Sequence, residues 1–158
     1  MAILAGQRIK ALDFAGYGAV HDWANDTMSG LTGGVWTPPP TTVGVSFMAP
    51  SSGAVKCTFA GRIRAVQGGS FRASLACELR TGAVIGSGVV VDEPDTDRAI
   101  EIGSNTADFA TQVQASTFRV HEGLTPGQLY HFRFMALAAS NGDIVVYARS
   151  IAVEPWHG

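Results

Sequence analysis

The stretch Gly123-Leu124-Thr125-Pro126-Gly127-Gln128-Leu129-Tyr130 constrains this chain more than any other. Pro126 presets φ and Gly127 admits φ > 0, so the pair reverses the chain. The run beginning at the Tyr, Tyr130-His131-Phe132-Arg133-Phe134-Met135-Ala136-Leu137, is β-prone. Antiparallel sandwiches turn corners in this way, and a Tyr near the start of the next strand can brace the corner through its hydroxyl. The feature dictates architecture and supplies no chemistry.

Period-two alternation extends that constraint to most of the chain. Val43, Val45 and Phe47 alternate with Gly44 and Ser46. Val55, Cys57, Phe59 and Ile63 face one way, and Lys56, Thr58, Arg62 and Arg64 the other. After Gly68-Gly69, residues Phe71, Ala73, Leu75, Cys77 and Leu79 alternate with Arg72, Ser74, Glu78 and Arg80. These two strands predict a hairpin with one face buried and one wet. Residues 83–91 read as a strand bent or bulged at its glycines, and residues 99–102 as a short strand. Residues 107–120 begin with Val113 and Ala115 in one phase and end with Phe118 and Val120 in the other, which predicts a bulge. Strands over 129–139 and 144–153 complete the set, joined by Ser140-Asn141-Gly142-Asp143, a hairpin signal. About eight strands joined by short turns, with no long amphipathic helix between them, exclude a βαβ layout. The expected fold is all-β: an antiparallel β-sandwich, jelly-roll-like, with an extended N-terminal arm.

Residues 1–40 read as that arm and residues 41–158 as the sandwich domain. Ile9 and Leu12 share one side of a helical turn ending at Phe14, glycines come next, and Pro38-Pro39-Pro40 makes a stiff exit that cannot donate to a sheet ladder. On this reading, removal of residues 1–40 leaves a folded body. At 158 residues the chain suits one domain with a real core. Charged residues make up only 15% against 46% hydrophobic ones, so some apolar surface is expected to be covered by partner chains. The net charge of -2 offers no footprint for nucleic acid. No apolar stretch approaches the ~20 residues that span a bilayer. The start lacks the order of a secretory signal, which favours a cytoplasmic origin.

Little in the sequence carries chemistry. His21, His121, His131 and His157 share no ligand spacing with each other or with Cys57 and Cys77, so no metal or cofactor is expected. His131 reads as a sheet-surface residue, and the cysteines, on the apolar phase of their strands, as buried thiols. Gly86-Ser87-Gly88 lacks the first glycine of a nucleophile elbow, because Ile85 stands in its place. The acidic loop Asp92-Glu93-Pro94-Asp95-Thr96-Asp97 holds enough carboxylates to raise the question of Ca²⁺ but not the spacing of an EF-hand; a solvated turn partly neutralised by Arg98 is favoured. No catalytic residue is expected. Trp23, Trp36 and Trp156 fall outside the expected strands and are candidate assembly or ligand contacts with Ile9, Leu12 and Phe14.

Three stretches carry a family likeness: Ala5-Gly-Gln-Arg-Ile-Lys-Ala-Leu-Asp-Phe14, Val45-Ser-Phe-Met-Ala-Pro-Ser-Ser-Gly-Ala-Val55, and Gly123 to Tyr130 with the tail Val153-Glu-Pro-Trp-His-Gly158. With them the chain resembles small virion proteins of tailed bacteriophages, particularly those of GC-rich actinobacterial hosts. The resemblance implies a non-enzymatic structural role in the virion, as a capsid decoration or minor tail component. It further implies a homotrimer made in the host cytoplasm and fixed to major capsid or tail proteins by its arm. The alternative is a carbohydrate- or receptor-binding β-sandwich module, whose partner would be a host surface glycan met by the tryptophans. The corner also resembles that of fibronectin type III modules, but this chain is longer than their usual ~100 residues and begins with an arm they lack.

Overall fold

The computed structural model describes residues 19–29, 31, 33–65, 71–104, 112–138 and 144–157. Among them nine strands form two antiparallel sheets: β1 (Val20–Ala24), β2 (Gly44–Met48), β3 (Val55–Ala65), β4 (Phe71–Thr81), β5 (Val90–Asp92), β6 (Ile100–Ser104), β7 (Gln112–His121), β8 (Leu129–Ala138) and β9 (Ile144–Pro155). One sheet runs β1-β9-β3-β7, the other β2-β8-β4-β5, with β6 also pairing along β4. This order arises when one long hairpin, with β1 against β9, β2 against β8, β3 against β7 and β4 against β5 and β6, is rolled until β9 meets β3 and β8 meets β4. It is a jelly roll. β5 and β6 divide one strand's place along β4, at Leu79–Arg80 and Phe71–Leu75 respectively.

The rolled topology corrects two local expectations. β3 and β4 are not a hairpin, because β3 pairs with β7 and β9 while β4 pairs with β5, β6 and β8. β8 and β9 likewise belong to opposite sheets, so the strands flanking Asn141-Gly142 do not pair; the turn itself lies outside the described residues. A period-two strand buries the same face whether its successor lies beside it or across the core, and turn residues report only that the chain reverses.

Between the sheets, alternate residues of β3 (Val55, Cys57, Phe59, Ile63) meet those of β4 (Ala73, Leu75, Cys77, Leu79) and β8 (Phe132, Phe134, Ala136), all of them buried. Aromatic rings set the spacing. Phe47 stacks on Tyr130 and Phe132 at 6.1 and 5.5 Å, and Phe59 meets Phe134 edge-on at 6.5 Å. Both cysteines are free thiols inside this core, and burial pushes Cys77 well above the ordinary thiol range.

The corner forms as the sequence implies. Gly127 sits at φ 77°, and its N–H donates to Ala49 O at 2.9 Å. The buried Tyr130 hydroxyl accepts from Thr125 N–H at 3.1 Å and lies 3.2 Å from Gln128 Oε1. The chain is thereby pinned where it leaves β7 for the opposite sheet.

The arm boundary at residue 40 is corrected for residues 19–40. Val20–Ala24 pairs antiparallel with Arg149–Val153 and forms the edge of the first sheet. Met28 and Leu31 are core residues. Farther on, Thr37 N–H donates to Ala136 O and Phe134 N–H to Val43 O, both at 2.8 Å, which carries the line of β2 along the second half of β8. Apolar side chains and unpaired strand edges attract each other irrespective of nearby glycine and proline. Residues 1–18, with Ile9, Leu12 and Phe14, lie outside the described residues.

The bulge expected in β7 is absent, since its register against β3 runs unbroken from Val55↔His121 to Arg64↔Gln112. Alternation never changes phase there; polar residues simply take inward positions, Arg119 and His121 among them. A register shift does occur between β3 and β9, at Ala60/Arg62, where Ala148 takes φ 32° and Arg149 is left fully buried.

Candidate binding surface

The two sheets present very different outer faces. That of the second sheet is largely closed. Residues 82–89, most of them read from sequence as part of a bent strand over 83–91, form a loop folded back over it. Gly88 makes the return possible: at φ +76° it lies so close to β4 that a Cβ would stand 2.0 Å from Thr81 O. Beneath the loop His131 is fully buried, with Nδ1 2.9 Å from Gly82 O and Nε2 accepting from Gly86 N–H at 2.9 Å. This corrects its placement on an open sheet surface. Beside it Glu78 is clamped by Arg80, at 2.8 and 3.0 Å, and by Arg133 Nε. Burial alone would raise the Glu78 carboxyl, but the two guanidiniums outweigh it and hold it below its usual range. Ser87, the one serine between glycines, gives its hydroxyl to Val84 O at 2.8 Å.

Polar clusters also close the two sides of the sandwich. At one, Asp92 on edge strand β5 meets Arg119 and His121 on edge strand β7, with His121 Nδ1 at 3.1 Å. Burial lowers the His121 pKa to about 4, and the neighbouring Arg119 charge adds to that. The ring is therefore neutral and its centroid lies 4.9 Å from that of Phe132. Asp92, from the acidic loop that raised the question of Ca²⁺, takes part in this closure. Asp92 and Asp95 both pair with Arg98, and Asp95 caps a single 3-10 turn, Thr96–Arg98, through Asp97 N–H. Among the described residues no three His, Cys, Asp or Glu side chains converge. At the other side Arg149 Nη2 pairs with Asp26, and Asp22 Oδ2 accepts Gly44 N–H at 3.0 Å, tying β1 to β2.

The outer face of the first sheet is open. Register places its side chains in rows running from β1 to β7. One row is Trp23, Ser150, Ala60, Ser116; the next is His21, Ala152, Thr58, Phe118. Five small side chains thus make a level floor between Trp23, 65% exposed, and Phe118, 57% exposed. Strand spacing puts these two rings at opposite edges, roughly 15 Å apart. Flanking rows carry charge that is already engaged: Lys56 pairs with Glu154 at 2.8 Å and lies 5.3 Å from the Phe118 centroid, while Arg62 stacks over Tyr147 at 5.6 Å.

The sequence candidates are therefore dispersed. Trp23 stands on this open face, in β1 rather than in a loop. Trp36 is half-buried in the segment lying along β8. Trp156 is also half-buried, with its N–H bonded to Ala54 O at 2.9 Å. The structure does not gather them into one site. Sequence reasoning missed Phe118 as a surface residue because it placed it on the apolar phase; unbroken alternation from the Arg62–Gln114 row would have put it outside.

No protein-family model matches the sequence, and no curated protein matches it. Among solved structures, a chain of the infectious bursal disease virus Gt strain matches at 14% identity and TM-score 0.49, over 87% of this chain and 32% of that one. This chain spans about a third of the length of that viral chain. An Eiger TNF from S. frugiperda matches at 11% identity and TM-score 0.47, over 90% of this chain and 94% of that one. A xylan-binding module matches at 10% identity and TM-score 0.42, over 89% and 97%. The distant matches thus include viral particle, TNF-like and carbohydrate-binding β domains. None of these three reaches a TM-score of 0.5, and the jelly-roll assignment stands on strand order and register.

Proposed function

We propose that this chain is a non-enzymatic structural protein of a virion, a capsid decoration or minor tail component of a tailed bacteriophage of the actinobacterial type. In this reading it forms a homotrimer and is attached to capsid or tail proteins through residues 1–18, apolar at Ile9, Leu12 and Phe14. The observation that carries the reading is an exposed apolar cluster at one end of the second sheet. Met48 and Leu129 face each other across β2 and β8, and Leu129 O accepts Gly82 N–H where the loop bearing Val84 begins. Val89 O accepts Thr81 N–H at that loop's return. All four side chains are exposed, Val84 and Val89 by about 70%. Clusters of this kind mark surfaces covered on assembly, and many copies on a symmetric particle add weak contacts through avidity. The folded body and its closed polar edges suit a rigid subunit. Mass spectrometry of purified particles is the direct test: the protein is expected at stoichiometric copy number, and its absence from them ends the reading. Sedimentation of the free chain is expected to give three times its 16.5 kDa mass, falling to one with Val84→Asp and Val89→Asp together.

A further inference from the structure

We infer that the open outer face of the first sheet is a binding platform for a neutral, extended polysaccharide. The inference is independent of the virion reading, since it concerns a different sheet from the apolar cluster above.

Two properties of the face select this ligand over a protein. Its two most exposed rings are peripheral, Trp23 on edge strand β1 and Phe118 on edge strand β7, while the Tyr147 ring on central strand β9 is covered by Arg62. Protein interfaces concentrate aromatic anchors near the centre and ring them with polar residues, the reverse of this arrangement. The centre carries hydroxyls and methyls, from Ser150, Ser116, Thr58, Ala60 and Ala152. A sugar chain lying flat presents the complementary pattern: apolar ring faces that stack on aromatic side chains, and hydroxyls that exchange hydrogen bonds with serine and threonine.

Charge narrows the ligand further. The ammonium beside the floor is already committed, Lys56 to Glu154 and the Phe118 ring, and Arg62 lies over the Tyr147 ring. An anionic polymer would have to compete with Glu154 for Lys56, whereas a neutral one leaves that pair in place. The Trp23 to Phe118 span is that of several linked pyranose rings, so an extended chain bridges both rings and a monosaccharide reaches only one.

The test is affinity electrophoresis of the full chain in gels containing soluble xylan, hydroxyethylcellulose or galactomannan, with polygalacturonate as the anionic comparison. Retardation by at least one neutral polymer is expected, with affinity reduced about ten-fold or more in Trp23→Ala and again in Phe118→Ala, the loss expected of one stacked ring. Ser116→Arg, which lays a long cation on the floor from an exposed edge position and touches no core residue, is expected to abolish retardation. It keeps the test decisive if an aromatic variant is poorly folded. Absence of retardation in all three neutral gels overturns the inference, as does retardation by polygalacturonate alone or binding indifferent to all three substitutions. Sedimentation adds one more route to refutation: self-association of the wild type that is lost in Trp23→Ala would make this face a contact between copies.

Discussion

Acidification tests the interior most sharply, through His121. Buried against Phe132 and beside Arg119, its imidazole has a pKa of about 4 in the folded chain, against the ordinary value of 6.5 that it regains on unfolding. The folded pKa is depressed, so the unfolded chain takes up the proton first. Stability is fully present above pH 6.5 and drains away as pH falls toward 4. At 1.36 kcal/mol for each unit of difference, the full loss is about 3 kcal/mol, a large share of a typical domain's stability. The comparison protein is His121→Gln, whose amide is polar and of similar reach but does not titrate. Urea unfolding of both proteins, followed by tryptophan fluorescence from pH 8 to pH 4, gives the answer as a difference. Carboxylates held below their usual range, such as Glu78 by its two arginines, destabilise both proteins in acid and cancel. The wild type is expected to lose its advantage over His121→Gln, or to fall behind it, across pH 6.5 to 4, with both m-values unchanged. Parallel curves would refute the reasoning and mean that water reaches the ring.

Tyr130→Phe removes the hydroxyl that accepts Thr125 N–H and is expected to cost about 1 kcal/mol in urea; no change would mean that the ring alone braces the corner. Deletion of residues 1–18 is expected to leave a cooperative thermal transition, whereas deletion of 1–40 removes β1, Met28 and Leu31 and is expected to abolish it. A sharp transition in the longer deletion would restore the boundary at residue 40. Asp26→Ala strands the fully buried Arg149 charge and is expected to cost about 3 kcal/mol, while Arg149→Met, which leaves only a part-exposed carboxylate, costs under about 1. Equal losses from the two would show that packing, not charge, governs the site.

The architecture was legible where local chemistry and global fold agree. Alternation in β3 and β4 assigns their inner faces correctly, and Pro126-Gly127 with Tyr130 marks a true corner. What could not be read were contacts between residues far apart in the chain. Arg149 looks like a wet-face residue until Asp26, 123 positions earlier, is folded against it. Arg119 likewise awaits Asp92. Polarity alone sends both outward, which is why β7 reads as changing phase and Phe118 as pointing inward. β1 failed to register for a related reason: Val20-His21-Asp22-Trp23-Ala24 places Asp22 inward, held by Gly44 N–H, and Trp23 outward, so the sequence inverts the usual rule.

These inversions have a common location. Asp92, Arg119 and His121 lie where edge strands β5 and β7 approach, and Asp22, Asp26 and Arg149 lie where β1 approaches β2 and the β9 bulge. A two-sheet sandwich is apolar between its sheets but open along its sides, where backbone groups and water compete for the core. Ion pairs placed there close the sides without lengthening the strands, and they become costly to break because half of each pair is buried. Closure at both sides fixes the angle between the sheets. The strands of the first sheet then hold Trp23 and Phe118 at opposite edges in a fixed register. A backbone held in this way would leave a ligand on the proposed platform only side chains to order, so the residues that most defied sequence reading are the ones that brace the open face.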